Sequence, residues 1–287
     1  MTVGEAGFSG ADWGLLVIAA IITLLIHVDG HLWNDIMDQK TDRREKSKET
    51  GRDRPLLLGW ATVDEYKKIS RGIIFLVMVL ALYLTTQRLL MPLLLAIGLF
   101  FGYGYNHPRI ALAYKPFTEY SIFPWLVVGV TVTVVYAATS HFSLLAALLS
   151  LMQGMMATCF VVSMMRRDSI SDRLGGKKTS SVLYPGLPHS TIYGIVTLLV
   201  AVLMLYPLAR VLGNTNLAVI LVLTTFFVAV INTAIGIRID RLCTRAMNAV
   251  FPEFEERANR LMLQQAGSTV VYAVAVSLIL LVAGGMV

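Results

Sequence analysis

Two stretches of this chain carry carboxylates at helical spacing. The first, His31-Leu-Trp-Asn-Asp-Ile-Met-Asp-Gln-Lys-Thr-Asp42, sets Asn34, Asp35, Asp38 and Asp42 at i, i+1, i+4 and i+8. On a helix of about 3.6 residues per turn these form a stripe on one face. Carboxylates stacked this closely repel one another, and at a helix C-terminus they also oppose the macrodipole. A bound cation would relieve both effects. An oxygen-rich site of this kind suits Mg²⁺, which commonly takes one or two carboxylates together with substrate phosphates. The competing reading is a solvated helix end whose acids pair with Arg43, Arg44 and Lys46. The second stretch, Arg166-Arg167-Asp168-Ser-Ile-Ser-Asp172-Arg-Leu-Gly175-Gly176-Lys177-Lys178-Thr179, puts Asp168 and Asp172 one turn apart. Gly175 and Gly176 are suited to end that helix, so Lys177 and Lys178 follow where they can reach a phosphate oxygen. A single D-x-x-x-D is met often by chance; the pair of clusters is the stronger signal.

The elements that must position these acids are membrane helices. The 287 residues are 56% hydrophobic and only 15% charged, with a mean hydropathy of +0.69, far from the soluble average of about 45–50% apolar and 25% charged. Continuous apolar runs recur at 13–35, 69–90, 91–107, 120–140, 142–167, 190–212, 216–238 and 268–287. In lipid only helices or closed barrels satisfy every backbone group, and the runs are continuous rather than alternating, so they predict helices. The expected fold is an all-α polytopic bundle of about eight spans, one domain over residues 1–287, with loops capping a central cavity. The first span follows an acidic start and leads straight into a charged loop, so it is expected to stay in the membrane rather than be cleaved.

Charge supplies an independent check on topology. Loops 36–71, 106–119, 166–189 and 238–267 hold 22 of the 24 Lys and Arg, leaving Arg88 and Arg210 for the other side. The enrichment of cytoplasmic loops in basic residues places these four loops, and both acidic clusters, on the cytoplasmic face. The net charge of +6 is then a topology signal and gives no case for a nucleic-acid partner. Cys159 and Cys243 have neither metal-ligand spacing nor a disulfide framework. His27 and Asp29 lie deeper in the first span, where ionisable groups usually face the bundle interior. They are candidates to line the cavity or to form a structural pair. Two carboxylate stripes facing each other across a cavity could hold metal ions that bridge a diphosphate.

Taken together, Asn34-Asp35-x-x-Asp38-x-x-x-Asp42 and Asp168-x-x-x-Asp172-x-x-x-Gly176-Lys-Lys-Thr179 resemble the two motifs of the UbiA superfamily of intramembrane prenyltransferases. Arg54-Pro55 follows the first motif as it does in that family. The loop Tyr105-Asn-His-Pro-Arg109 through Tyr114 to Glu119 is similar to that of MenA-type enzymes, which prenylate dihydroxynaphthoate. The resemblance implies Mg²⁺ and diphosphate binding by Asp35, Asp38, Asp42, Asp168 and Asp172, with Asn34 as part of the first motif. It implies further positive charge from Arg54, Arg109, Lys177 and Lys178, Tyr105 on the diphosphate side and Glu119 on the acceptor side. Trp33, Tyr103 and Tyr105 are candidates to face an allylic cation, although belt or packing roles also suit them. The sequence departs from the family's usual pattern in three places. The first motif ends the first span rather than the second, Met164 stands where Asn is common in MenA-like sequences, and Leu58-Gly59 replaces Ser-Gly.

The resemblance implies transfer of a prenyl group from a polyprenyl diphosphate to a membrane-associated aromatic acceptor, such as a quinone precursor. Cyclisation of the diphosphate, or transfer to a non-aromatic acceptor, lies within the same chemistry. A transporter or scaffold predicts acids near mid-bilayer and an internal repeat, whereas these acids lie at helix ends and no repeat is evident.

Overall fold

A computed structural model describes residues 11–42, 55–107, 109–248 and 253–284, and among these there is no strand. The long helices are α1 (Trp13–Asp42), α2 (Val63–Gln87) and α3 (Met91–Asn106). A 3₁₀ turn (Leu112–Tyr114) and the short α4 (Thr118–Ser121) lead to α5 (Phe123–Thr139) and α6 (Leu144–Arg167). Two more short helices, α7 (Ser169–Gly175) and α8 (Ser180–Leu183), precede α9 (His189–Leu203) and α10 (Leu205–Leu212). The chain ends on α11 (Thr215–Asn248) and α12 (Phe254–Gly284).

Among the described residues, seven segments are long and apolar enough to cross a membrane, α9 and α10 together forming one of them. The eighth expected span is α3. Its 16 residues reach about 24 Å at 1.5 Å per residue, short of a hydrocarbon core of about 30 Å. By the same measure the 30 residues of α1 extend about 45 Å, so its last turns, which carry the first acidic motif, stand clear of the hydrocarbon.

Some helices outrun their apolar stretches. Residues 238–267, expected as a loop, largely continue α11 and begin α12. Arg, Leu, Met, Ala and Glu in this stretch are good helix formers, so the ladder persists beyond the lipid. At the start of α2, Thr62 Oγ1 accepts the Glu65 N–H at 3.2 Å while Glu65 Oε2 accepts the Thr62 N–H at 2.7 Å. That capping box fixes the helix start at a polar turn, six residues ahead of the hydrophobic run.

The core has two centres. Leu15, Ile22, Val77, Leu84, Met91 and Tyr136 join α1, α2, α3 and α5; Met152, Met156, Leu208, Leu221 and Tyr272 join α6, α10, α11 and α12. Outside, large apolar side chains such as Phe75, Leu203 and Leu281 are at least 70% exposed, a surface that suits lipid rather than water. The end opposite the acidic motifs is closed by Arg88, whose Nε donates to Ala137 O at 2.8 Å, and by Asp12, whose N–H donates to Ala138 O at 2.9 Å.

Small residues bring α9 and α11 together. A Cβ on Gly194 would lie 2.6 Å from Thr233 Oγ1 and 2.9 Å from its Cα, and one on Gly236 would lie 2.9 Å from Ser190 O. Without a hydrophobic drive between helices in lipid, such close approach carries the packing. Gly194→Ala is therefore expected to destabilise the bundle by about 1–3 kcal/mol. Gly72→Ala, where an added Cβ meets nothing within 4 Å, should be neutral or stabilising. Thermal unfolding of both variants in detergent tests this, and equal melting temperatures would refute the packing account.

Candidate functional site

The two acidic motifs meet. Lys177 Nζ lies 2.9 Å from Asp38 Oδ2 and 3.1 Å from Asp172 Oδ1, so one ammonium joins the end of α1 to α7. The local chain explains how it gets there. Asp168 caps α7, with the Asp172 N–H donating to Asp168 O at 2.8 Å. Gly176 then adopts φ +83, and the Lys177 N–H donates back to Asp172 O at 2.9 Å. That left-handed turn, which a glycine adopts at little cost, reverses the chain and swings the lysine over the carboxylates. Tyr114 completes the cluster: its hydroxyl donates to Asp38 Oδ1, and its ring lies 5.1 Å from Lys177 Nζ.

Asp38 and Asp172 are both about 95% buried. Burial pushes the Asp172 carboxyl up to about 7, with Asp168 and Asp38 adding to the rise and Lys177 opposing it. Burial also works against the Lys177 ammonium, yet Asp172 and Asp38 outweigh it and hold the group above the usual lysine value. Two buried carboxyls thus share one ammonium, and burial is the main reason that Asp172 holds its proton to higher pH. Asp168 faces a different cation. Its carboxylate accepts from Arg167 Nε at 2.5 Å and Nη2 at 2.9 Å, and Arg167 Nη1 donates to Asn259 Oδ1 at 2.7 Å on α12. Among the described residues no three His, Cys, Asp or Glu side chains gather closely enough to ligate one ion by themselves.

Asn34, Asp38, Asp168, Asp172, Lys177 and Tyr105 all line one cavity of about 1020 Å³. It descends from the acids between α1, α3, α5, α6 and α12, and its walls are mainly apolar, with Phe101, Phe123, Trp125 and Phe160 as the large rings. Met164 is also on the wall. His27 and His31 line the α1 side, their Nε2 atoms 3.1 Å apart. Asp29, on another face of α1, is 2% exposed.

Other expected site residues stand elsewhere. Glu119 is buried beneath the loop, where its Oε1 accepts the Ser180 N–H at 3.2 Å; nearby, Ser180 Oγ accepts the Phe117 N–H at 2.7 Å. In that position Glu119 ties α4 to α8. Trp33 and Tyr103, proposed to face a cation, line a separate outer groove between α1, α2 and α3; one position along α1 turns a side chain by about 100°, which separates Trp33 from Asn34. Arg109 and Lys178 are exposed, and the Lys178 N–H donates to Tyr114 O at 3.3 Å. Asp35 is half-buried. Arg54, together with Arg43, Arg44 and Lys46, lies outside the described residues, and the Asp42 side chain is likewise outside them.

Sequence reasoning missed Tyr114 and a buried pair behind the site. Arg166, 1% exposed, sets Nε 3.5 Å from Asp240 Oδ1. Asp240 also accepts from the Thr191 N–H at 2.8 Å and Thr191 Oγ1 at 2.7 Å, so it caps α9. The sequence around the start of α9 carries no acid, and the one that caps it lies 49 residues further on, so no local signal pointed to it.

No curated protein sequence matches the chain significantly. Among solved structures, a UbiA homolog from Archaeoglobus fulgidus bound to GPP and Mg²⁺ superposes with a TM-score of 0.61 at 14% identity, covering 93% of this chain and 89% of that one. The same homolog bound to DMAPP and Mg²⁺ gives a TM-score of 0.55 at 12% identity, with 91% and 89% covered. The apo structure of a UbiA homolog from Aeropyrum pernix K1 gives 0.52 at 18% identity, with 94% of each chain covered. At these identities the likeness speaks for the fold. The sequence model of the UbiA prenyltransferase family matches residues 5–254, most of the chain and both acidic motifs, and the chain belongs to that family.

Proposed function

We propose that this chain transfers a prenyl group from a polyprenyl diphosphate, held with Mg²⁺ between the two acidic helix ends, to a membrane-associated aromatic acceptor of the quinone-precursor kind, such as dihydroxynaphthoate. The observation that carries the reading is the junction of Asp38 and Asp172 through Lys177 at the mouth of a large apolar cavity. The aromatic acceptor rests on the resemblance of the loop from Tyr105 to Glu119 to MenA-type enzymes. The structures of the A. fulgidus homolog, bound to prenyl diphosphates and Mg²⁺, support the donor side.

The donor set fits Mg²⁺. Its atoms are hard carboxylate oxygens, and the lysine ammonium already stands as a cation between two of them. An ion held here would be completed by substrate phosphates, as is common for Mg²⁺. Asp35, Asp38 and Asp42 from α1, with Asp168 and Asp172 from the second motif, would hold it. Bound there, Mg²⁺ supplies neutralisation of the charge that grows on the diphosphate as the C–O bond breaks.

The remaining work falls to the chain. Lys177, released from the acids, can turn its ammonium to a phosphate oxygen, with Lys178 and Arg109 at the exposed rim. Tyr114 fixes the orientation of Asp38 through its hydroxyl. The apolar walls exclude water from the allylic cation, and the ring faces of Tyr105, Phe123, Trp125 and Phe160 are available to it. The basic loops on this face support a cytoplasmic orientation for it.

Purified protein incubated with a labelled polyprenyl diphosphate and Mg²⁺ tests the reading, with and without dihydroxynaphthoate. Acceptor-dependent diphosphate release is expected, lowered at least about 100-fold by Asp38→Ala or Asp172→Ala. Release without any acceptor would instead indicate cyclisation, and variants as active as wild type would sink the site.

A pH measurement is also diagnostic. Because the folded-state pKa of Asp172 lies near 7, well above its ordinary value, its contribution to stability is present below the ordinary carboxylate range. That contribution fades as pH rises through about 7. Without Mg²⁺, wild type should lose melting temperature between about pH 5 and pH 8, and Asp172→Asn should lose less. Added Mg²⁺ should stabilise most at the alkaline end, where the carboxylate is free to bind it.

A further inference from the structure

The outer groove of about 650 Å³ between α1, α2 and α3 is separate from the central cavity and plays no part in the reaction described above. Lys67 and Arg71, one turn apart on α2, stand exposed at its rim. Below them the walls are Ile74, Leu99 and Phe100. Trp33 and Tyr103 form a stiff flank. The indole Nε1 donates to Ser70 Oγ at 3.0 Å, and His107 packs against both rings, stacked on Tyr103 at 4.4 Å between centroids and 5.3 Å from Trp33. Two cations above an apolar trough with an aromatic edge make a shape that is charged at the membrane surface and greasy below it.

We propose that this groove binds an anionic glycerophospholipid of the surrounding bilayer, its phosphate on Lys67 and Arg71 and an acyl chain along Ile74, Leu99 and Phe100. Basic pockets between transmembrane helices on the positively charged side are suited to such headgroups, and the guanidinium offers a planar fork for phosphate oxygens. Glu65, on the turn preceding Lys67, is engaged with Thr62. The acyl walls favour a lipid over free phosphate. A lipid seated here would brace the flank of α1 next to Asn34 and Asp35.

The test uses the full chain in detergent, with phosphatidylglycerol, phosphatidylcholine or inorganic phosphate added. Phosphatidylglycerol is expected to raise the melting temperature about 3 °C more than phosphatidylcholine does, with no gain from phosphate. The Lys67→Ala/Arg71→Ala double variant should lose that extra gain. Lys68→Ala, a neighbouring exposed lysine outside the groove, should keep it. Native mass spectrometry of wild type should retain phosphatidylglycerol in preference to phosphatidylcholine, which covers the case of a double variant that folds poorly. Equal gains from the two lipids, a gain that survives the double variant, a gain lost equally in Lys68→Ala, or no lipid preference in the mass spectrum would each overturn the site.

Discussion

Two buried carboxyls on different segments cannot both stay ionised at the edge of a membrane unless a cation stands between them. That constraint organises this protein. Asp38 reaches the site on a helix long enough to leave the hydrocarbon, and Asp172 reaches it on a two-turn helix set at right places by the cap at Asp168 and the glycine at 176. With its ammonium 2.9 and 3.1 Å from the two acids, Lys177 makes the meeting tolerable. Removing one partner from a buried charged cluster leaves the others uncompensated, which is where the large energetic penalties arise.

The scaffold around the cluster separates its two requirements. Polar loops at one end hold charge, and the apolar cavity below holds what must be kept from water. Tyr114 reaches Asp38 from the loop after α3, Lys178 bonds the same loop through its backbone, and Ser180 receives Phe117 and gives to Glu119. These contacts stitch the segment 107–122 to the segment 168–189 directly above the cavity. Phe117 accepts a left-handed φ of +63 within that stitch, a conformation that non-glycine residues hold only when neighbours over-determine it.

The parts legible in sequence were those set by local periodicity or local backbone chemistry. The acid stripe of α1 follows from 3.6-residue spacing, the turn at Gly176 from glycine's tolerance of positive φ, and the common side of the two motifs from the basic loops. Helix ends were less legible, because α11 and α12 continue through charged residues that favour helix without being apolar. Contacts between distant segments were not legible at all. Nothing about a tyrosine in a loop announces that it will meet Asp38, 76 positions away. The same limit hid the contact by which Glu119 braces α8. Trp33, a candidate for either the cation or plain packing, lines the outer groove while its neighbour Asn34 faces the cavity, because a one-residue offset on a helix sends a side chain to another face.

Arg166 and Asp240 show how depth decides between binding and bracing. Both are at least 95% buried, and Asp240 is already occupied by Thr191 and the start of α9. A carboxylate committed to helix amides, with a guanidinium beside it, has little left to offer a ligand. It instead locks α6, α9 and α11 together just behind Asp168, so that the second motif springs from a rigid base. Asp38 and Asp172 are nearly as buried, but their partners are a tyrosine hydroxyl and one lysine ammonium shared between them. Burial alone therefore does not distinguish Asp240 from Asp38 and Asp172; the groups around each carboxylate do.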